Sequence, residues 1–144
     1  MPIVSCGATS TYRTAGVFPG ITEVQAGSYL LGDGNYRRTL PDSACAISVL
    51  TTVISRPNPT RATIDAGQKA ITGGAGLPEP VQTGLRTVAL HEEHGLLDLD
   101  AASADVRVGD KLALTPGHAG TTIKLYDRIY AMRDERVAAI WQVG

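Results

Sequence analysis

Residues 110–133 read DKLALTPGHAGTTIKLYDRIYAMR, and this stretch decides the fold. Its segments 111–115 and 121–132 alternate apolar and polar side chains, and this alternation predicts two β-strands. Pro116 and Gly117 predict a sharp reversal between the strands, which places His118 at a strand end. An imidazole on a turn that neighbouring strands hold in place is a candidate functional group.

The whole chain has the composition of one globular domain. Its 144 residues are 43% hydrophobic and 19% charged, which argues against a disordered protein. A net charge of -1 argues against a nucleic-acid partner, and no apolar run approaches the roughly 20 residues that cross a membrane. The first residues lack the basic and apolar regions of a signal peptide. We therefore expect a cytoplasmic protein in which Cys6 and Cys45 are free thiols.

Short strand-like runs separated by turn residues fill the rest of the chain. Beyond the opening stretch they cover residues 3–5, two pieces of 21–33, 44–56, 61–66, 85–90, 95–99 and 136–143. The total is about eight or nine strands, with no helix longer than about two turns. A closed barrel or a sandwich shows this pattern, and we predict an all-β fold, a closed or partly open β-barrel.

Two further segments contain residues that could carry chemistry. His91 and His94 are three positions apart in a strand-and-turn segment, so their rings point to opposite faces. We therefore interpret 91–94 as a solvated charged turn in preference to a metal site. The loop 6–11, Cys-Gly-Ala-Thr-Ser-Thr, has small residues whose backbone N–H groups can approach an anion. A phosphate site and a simple turn both remain open for it.

Five motifs occur together in the order of a known family. They are EVQAGSYLLGD at 23–33, VLTTVISR at 49–56, TIDAGQKAIT at 63–72, EEHG at 92–95 and VGDKLALTPGH at 108–118. This set resembles the C-terminal β domain of the D-threonine aldolase and eukaryotic-type D-serine dehydratase family. These are fold-type III pyridoxal-phosphate enzymes with the architecture of alanine racemase. The resemblance covers nearly the whole chain.

The resemblance implies an N-terminal (β/α)8 barrel, which takes about 250 residues. Residues 1–16 would be the end of that barrel, with its last strand and phosphate loop, and 17–144 the C-terminal β-barrel domain. The segment 3–11 is similar to the family motif S-x-G-G-T-P-T, which would place Gly7, Ala8 and Thr9 on the cofactor phosphate. The chain's three lysines do not match the family's Schiff-base position, so the chain alone is expected to be inactive. They are Lys69, Lys111 and Lys124.

The family also carries P-x-H-x-D or P-x-H-x-C, whose His and Asp or Cys hold a divalent metal beside the cofactor. Here Pro116 and His118 match, and Gly120 stands where the second ligand belongs. A metal such as Zn or Mn would then be absent, weaker, or completed by water and a residue elsewhere. This departure leaves the metal-activated chemistry open.

The resemblance predicts part of a lyase acting on D-3-hydroxy amino acids, either D-threonine aldolase-like or D-serine dehydratase-like. In this reading the barrel domain and a D-amino acid are its partners, and the enzyme is a homodimer. The alternatives are a non-catalytic β module for dimerisation or binding, and part of an amino-acid racemase. Within the motifs, Asp65 is expected to be a buried, hydrogen-bonded structural carboxylate.

Overall fold

The computed structural model describes residues 2–103 and 105–144. Its main sheet is built around β3, Val49–Asn58. The strands in chain order are β1 Ser5–Cys6, β2 Glu23–Val24, β3 Val49–Asn58, β4 Arg61–Ile64, β5 Glu79–Pro80, β6 Leu85–Leu90, β7 Gly95–Leu99, β8 Lys111–Thr115, β9 Arg128–Arg133 and β10 Arg136–Gln142. The helices are α1 Tyr12–Ala15, α2 Gly34–Thr39 and α3 Ala119–Ile123, with 3-10 turns at Ser28–Leu30 and Ala101–Ser103. Within these described residues, no helix is long and apolar enough to cross a membrane.

The main sheet has six strands in the order β5-β8-β3-β4-β7-β6, and every neighbouring pair is antiparallel. Its two edge strands, β5 and β6, lie close to each other, so the sheet curls into a nearly closed barrel. The all-β barrel prediction is confirmed. Strands β6, β7 and β8 begin and end where the side-chain alternation predicts.

Alternation along the strands decides which side chains fill the barrel. In β3, Val49, Thr51 and Val53 are buried, whereas Leu50 between them is 71% exposed. The ladders set Val49 opposite Leu114 and Val53 opposite Ile64. The buried apolar cluster consists of Val49, Val53, Ala62, Ile64, Ala66, Ile71, Leu97, Leu99, Leu112 and Leu114. Full burial of a Leu or Ile side chain stabilises the fold by about 1.5–3 kcal/mol.

Several stretches predicted as strands are different in the structure, among them 44–48, which precedes β3 and forms no strand. Residues 121–132 do not form one strand, because α3 occupies Ala119–Ile123 and β9 begins only at Arg128. Ala119 and Thr122 are buried on one side of α3, and this spacing of three suits a helical turn rather than a strand. The second predicted piece of 21–33 is the 3-10 turn Ser28–Leu30. Short alternating runs are ambiguous in this way.

Two small sheets lie outside the main sheet. Strand β1 pairs in parallel with β2, and β9 pairs with β10 in an antiparallel hairpin. The hairpin turn at Asp134 and Glu135 has positive φ values of 49° and 60°, which suits a tight two-residue connection. Both cysteines are free, Cys6 exposed and Cys45 half-buried, and burial raises the pKa of the Cys45 thiol.

Candidate active-site turn

His118 lies on the turn between β8 and α3. Thr115 ends β8 and α3 begins at Ala119. Pro116 and Gly117 are buried, and His118 is half-buried. The sequence therefore located the reversal and its histidine correctly, but the element after the histidine is a helix.

A buried carboxylate from a distant part of the chain fixes this turn. Asp33 is fully buried, and its Oδ2 accepts a hydrogen bond from the Ala119 N–H at 2.9 Å. Its Oδ1 accepts a hydrogen bond from the Tyr36 N–H at 2.8 Å and so caps α2. The first N–H groups of a helix have no partner within the helix, and they favour a negative charge. One side chain therefore stabilises the start of both α2 and α3.

The backbone of the same two segments is also joined. The Gly34 N–H donates to the Pro116 carbonyl at 3.0 Å, and the Asn35 N–H donates to the Gly117 carbonyl at 3.1 Å. From the other side, a Cβ placed on Gly117 would stand only 2.1 Å from the Gly76 carbonyl oxygen. Position 117 therefore requires glycine, because the loop at Gly76 approaches too closely for a side chain.

The His118 ring itself caps α3. Its Nδ1 accepts a hydrogen bond from the Thr121 N–H at 3.2 Å, and the Thr121 hydroxyl lies 3.3 Å from the same nitrogen. Among the described residues, none forms a hydrogen bond with Nε2. The imidazole is thus held at one nitrogen, and the other nitrogen is available to a ligand.

The donors around His118 do not fit a divalent metal. Gly120, at the position of the second ligand in the family pattern, is exposed and has no side chain that could bind. Across residues 2–103 and 105–144, no three side chains of His, Cys, Asp or Glu are grouped to hold an ion. The family pattern supplies two protein ligands, and here only the imidazole of His118 is left. A metal role for His118 therefore has no support in the surrounding donors.

The loop after β1 contains the predicted cofactor residues. Gly7 has φ 91°, and a Cβ there would stand 2.7 Å from the Ala15 Cβ, so glycine allows α1 to pack on the loop. The Ala8 N–H donates to the Thr11 hydroxyl at 3.0 Å, and the Thr11 N–H returns a bond to the Ala8 carbonyl at 3.0 Å. These bonds close the loop on itself.

Thr9 links this loop to the rest of the molecule. It is buried, and its hydroxyl accepts a hydrogen bond from the Tyr29 N–H at 3.1 Å. Among the described residues, no partner is found for the N–H groups of Thr9 and Ser10. Two free neighbouring N–H groups are suited to an anion such as a phosphate. The loop is therefore compatible with the predicted phosphate contact.

None of the remaining predicted residues forms a hydrogen bond with the His118 ring in the part of the chain that the structure describes. His91 and His94 are exposed in the turn between β6 and β7, as expected for a charged turn. Lys69 forms an ion pair with Glu93, and the Lys111 ammonium donates to the Thr52 hydroxyl at 2.6 Å. Lys124 follows α3 directly.

The prediction that Asp65 is buried is wrong, because this residue is exposed. Its carboxylate is nevertheless hydrogen-bonded, accepting from the Thr51 hydroxyl at 2.6 Å and the Thr52 N–H at 2.7 Å. Partial burial alone would raise the pKa of Asp65, but these bonds and the Lys111 charge lower it more. The net pKa lies below its ordinary value of 3.8.

Sequence reasoning missed two sets of residues at the turn. Asp33 is the N-cap of α2, and the only sequence signal for this role is that Asp is a preferred N-cap residue. The threonine hydroxyls beside α3 also carry no sequence signature. Thr72 lies 2.7 Å from Thr121 and 3.2 Å from Thr122, oxygen to oxygen.

Known proteins share this fold. A chain similar over 97% of this sequence is the D-threonine aldolase from Filomicrobium marinum, with a TM-score of 0.89 and 29% identity, over 40% of its own length. The fold is thus that of the β domain of fold-type III pyridoxal-phosphate enzymes. Residues 46–132 match the putative serine dehydratase domain. The chain belongs to this family.

Two relatives extend the comparison to nearly the whole chain. D-threonine aldolase of Arthrobacter sp is 34% identical over 143 residues, which are 96% of this chain and 37% of the relative. 3-Hydroxy-D-aspartate aldolase of Paracoccus denitrificans is 31% identical over an alignment of 155 positions, which covers 98% of this chain and 38% of the relative. The chain therefore spans less than half the length of the relatives that it matches.

Proposed function

We propose that this chain is the C-terminal β domain of a pyridoxal-phosphate lyase that acts on D-3-hydroxy amino acids. The observation that carries the proposal is the His118 turn, which Asp33 and Gly117 hold rigidly while one ring nitrogen stays available. A rigid turn that presents a single imidazole is suited to orienting a substrate. In this proposal residues 1–16 end a barrel domain that is not in this sequence, and residues 17–144 complete its active site.

The loop after β1 would hold the cofactor phosphate. Gly7, Ala8 and Thr9 form this loop, and the free N–H groups of Thr9 and Ser10 would donate to phosphate oxygens. Pyridoxal phosphate, when bound, supplies the electron sink for the reaction. The chain's own residues bind the phosphate and orient the substrate.

His118 would contact the 3-hydroxyl group of the substrate. Aldol cleavage breaks the Cα–Cβ bond, removes the proton of the 3-hydroxyl, and yields glycine and an aldehyde. Dehydration instead releases the 3-hydroxyl as water and yields a 2-oxo acid and ammonia. Both reactions require the 3-hydroxyl oxygen to be held in place, which an imidazole at hydrogen-bonding distance does.

A non-catalytic module is the second candidate, and one observation favours it. The β9–β10 hairpin exposes large apolar side chains, with Tyr130, Met132, Ile140 and Trp141 each at least 52% exposed. An apolar surface of this kind is suited to a protein partner. In the lyase proposal, the barrel domain or the second subunit of a homodimer covers it.

The test uses the natural polypeptide that carries these residues, expressed with its barrel. It is given pyridoxal phosphate and D-threonine, D-serine or D-3-hydroxyaspartate. Glycine with an aldehyde identifies an aldolase, and a 2-oxo acid with ammonia identifies a dehydratase. Formation of the L-isomer instead would make the protein a racemase, and a folded protein with no reaction on any of them would make it a non-catalytic module.

Two variants of that polypeptide then test the role of His118. His118→Gln should lower the rate by about 100-fold or more, since it removes the group that holds the hydroxyl. The matched control His91→Gln changes an exposed histidine and should keep full activity. Equal rates for the two variants would remove His118 from the active site.

A further inference from the structure

The hydrogen bond from Thr121 to His118 determines where the imidazole proton lies. The Thr121 backbone N–H can only donate, and it points to the His118 Nδ1 at 3.2 Å. Nδ1 must therefore present its lone pair, and a neutral ring then carries its single proton on Nε2. The nitrogen available to a ligand is thus an N–H donor.

A set of threonine hydroxyls holds this arrangement in place. The Thr121 hydroxyl lies 3.3 Å from Nδ1 and 2.7 Å from the Thr72 hydroxyl. Thr72 is itself fixed, because its N–H donates to the hydroxyl of the buried Thr122 at 3.3 Å. Thr72 therefore positions Thr121, and Thr121 orients the ring.

The same geometry opposes a metal at the available nitrogen. Metal binding at Nε2 needs a lone pair there, so the ring proton would have to move to Nδ1. Two N–H groups, from Nδ1 and from Thr121, would then face each other across 3.2 Å. Metal binding would cost the cap of α3 as well as lacking a second ligand at Gly120.

We infer that Thr121 and Thr72 lock His118 as its Nε2–H tautomer, which donates a hydrogen bond to an oxygen of the ligand and binds no divalent metal. The ligand oxygen is a hydroxyl or a carboxylate, since both accept such a bond. Thr72 is a positioning residue that acts through Thr121. Only the identity of the ligand rests on the proposed function. If that oxygen is the 3-hydroxyl, the base that removes its proton in an aldol cleavage is a group other than His118.

Nitrogen NMR of the imidazole rings tests this inference without cofactor or substrate. The chain is labelled with ¹⁵N-histidine and studied near pH 8, above the ordinary histidine pKa of about 6.5. The sequence has three histidines, and His118→Gln assigns the His118 signals by their loss. We expect a pyridine-type Nδ1 and a pyrrole-type Nε2 for His118, whereas the exposed rings of His91 and His94 average between tautomers.

Variants and added metal separate the locked ring from an ordinary one. Thr72→Val should move the His118 nitrogen shifts towards the averaged values of the exposed rings. Thr83→Val, which changes an exposed threonine, should leave them unchanged. Zn²⁺ alone, added to the His91→Gln/His94→Gln chain, should leave Nε2 pyrrole-type. Circular dichroism checks that each variant keeps its fold.

Three results would overturn the inference. A proton on Nδ1, or averaged shifts for His118, would show that the ring is not locked. Unchanged shifts in Thr72→Val would remove the positioning role of Thr72. A saturable response of Nε2 to Zn²⁺ would show a metal site. None of these results bears on whether the full polypeptide is a lyase.

Discussion

The Asp33 carboxylate accepts the Ala119 backbone N–H at 2.9 Å, although 86 positions separate the two residues. This bond makes the helix α2 a support for the His118 turn. Asp33 is fully buried. Without its carboxylate, the N–H groups that donate to it would have no hydrogen-bond partner in the interior. The start of α3, and with it His118, depends on a residue far away in the sequence.

Removing this carboxylate should destabilise the fold strongly. We expect Asp33→Ala to lower the free energy of unfolding by about 3 kcal/mol, since two helix starts lose a charged acceptor. The free energy of unfolding of Asp33→Asn should lie between those of Asp33→Ala and the unsubstituted chain, because its amide keeps one acceptor oxygen. Urea unfolding followed by circular dichroism measures both.

The control for Asp33 is a carboxylate on the surface. Asp42 has a side chain that is 78% exposed, and its ion pair with Arg13 is 3.5 Å long. Asp42→Ala should change stability by less than about 0.5 kcal/mol. If Asp33→Ala costs no more than this control, the carboxylate does not hold the two helices.

The sequence predicts the barrel well because the alternation in β3, β7 and β8 is a local property. Burial on one face requires a period of two, and Val49, Thr51 and Val53 show it directly. The role of Asp33 could not be predicted in the same way. Its own segment shows the cap of α2, but the contact with Ala119 depends on how the barrel folds. A long-range partner of this kind leaves no spacing to recognise in one sequence.

The His118 turn was predictable for a different reason. Pro116 and Gly117 follow a clear strand, so the reversal is evident, and the resemblance to the family singles out the histidine. The helix after it was not predictable, because residues 119–123 are small or β-branched, and 121–123 belong to the run 121–132 that alternates as a strand would. The cap from the His118 ring and the burial of Thr122 decide in favour of the helix.

A side chain at position 117 should displace the turn. In Gly117→Ala the new Cβ would meet the Gly76 carbonyl oxygen at 2.1 Å, and backbone on both sides prevents an easy adjustment. We expect a loss of about 2 kcal/mol or more in the free energy of unfolding, as for other overpacked sites. Denaturant unfolding measures this loss, and the His118 nitrogen shifts report the displaced ring.

Gly74→Ala is the matched control for Gly117, in the loop that Gly117 contacts. A Cβ on Gly74 meets nothing within 4 Å, so stability should change by less than about 1 kcal/mol. Equal stability of the two alanine variants would mean that the loop at Gly76 moves aside without a cost in stability. The contact between Gly76 and Gly117 would then not fix the turn.

Asp65 should contribute an acid-sensitive part of the stability. Its folded-state pKa lies below the ordinary value of 3.8 because the Thr51 and Thr52 bonds outweigh partial burial. The contribution is therefore fully present above that value and is lost as the pH falls through the folded-state pKa. Asp65→Asn should be less stable than the unsubstituted chain by about 1 kcal/mol at pH 7.

Urea unfolding at several pH values from about 7 down to about 3 measures this contribution. The difference between Asp65→Asn and the unsubstituted chain should shrink below about pH 4 as Asp65 becomes protonated. Asp42→Asn serves as the surface-charge control. A difference that stays constant over the whole range would show that the charge of Asp65 does not stabilise the fold.

Restoring the second ligand of the family pattern should create a metal site. A Cβ on Gly120 would stand 3.1 Å from the His118 Cε1 and 3.6 Å from its Nδ1, so an Asp at this position places its carboxylate beside the imidazole after the ring moves by a few tenths of an ångström. Gly120 is exposed and lies in the first turn of α3, where a negative charge is favoured, so Gly120→Asp should fold. We expect Zn²⁺ to bind this variant roughly tenfold or more tightly than the unsubstituted chain.

Calorimetric titration with zinc chloride measures this gain, in the His91→Gln/His94→Gln background that removes the exposed imidazoles. Gly120→Asn keeps the size but not the charge and should bind less than Gly120→Asp. Gly120→Asp combined with His118→Gln should lose the gain. The gain should coincide with the loss of the Thr121 hydrogen bond, seen as a proton on the His118 Nδ1, because Nε2 then carries the metal. Equal zinc affinities for the Asp and Asn variants would show that position 120 does not face the ring, and the departure at Gly120 would then not explain the missing metal site.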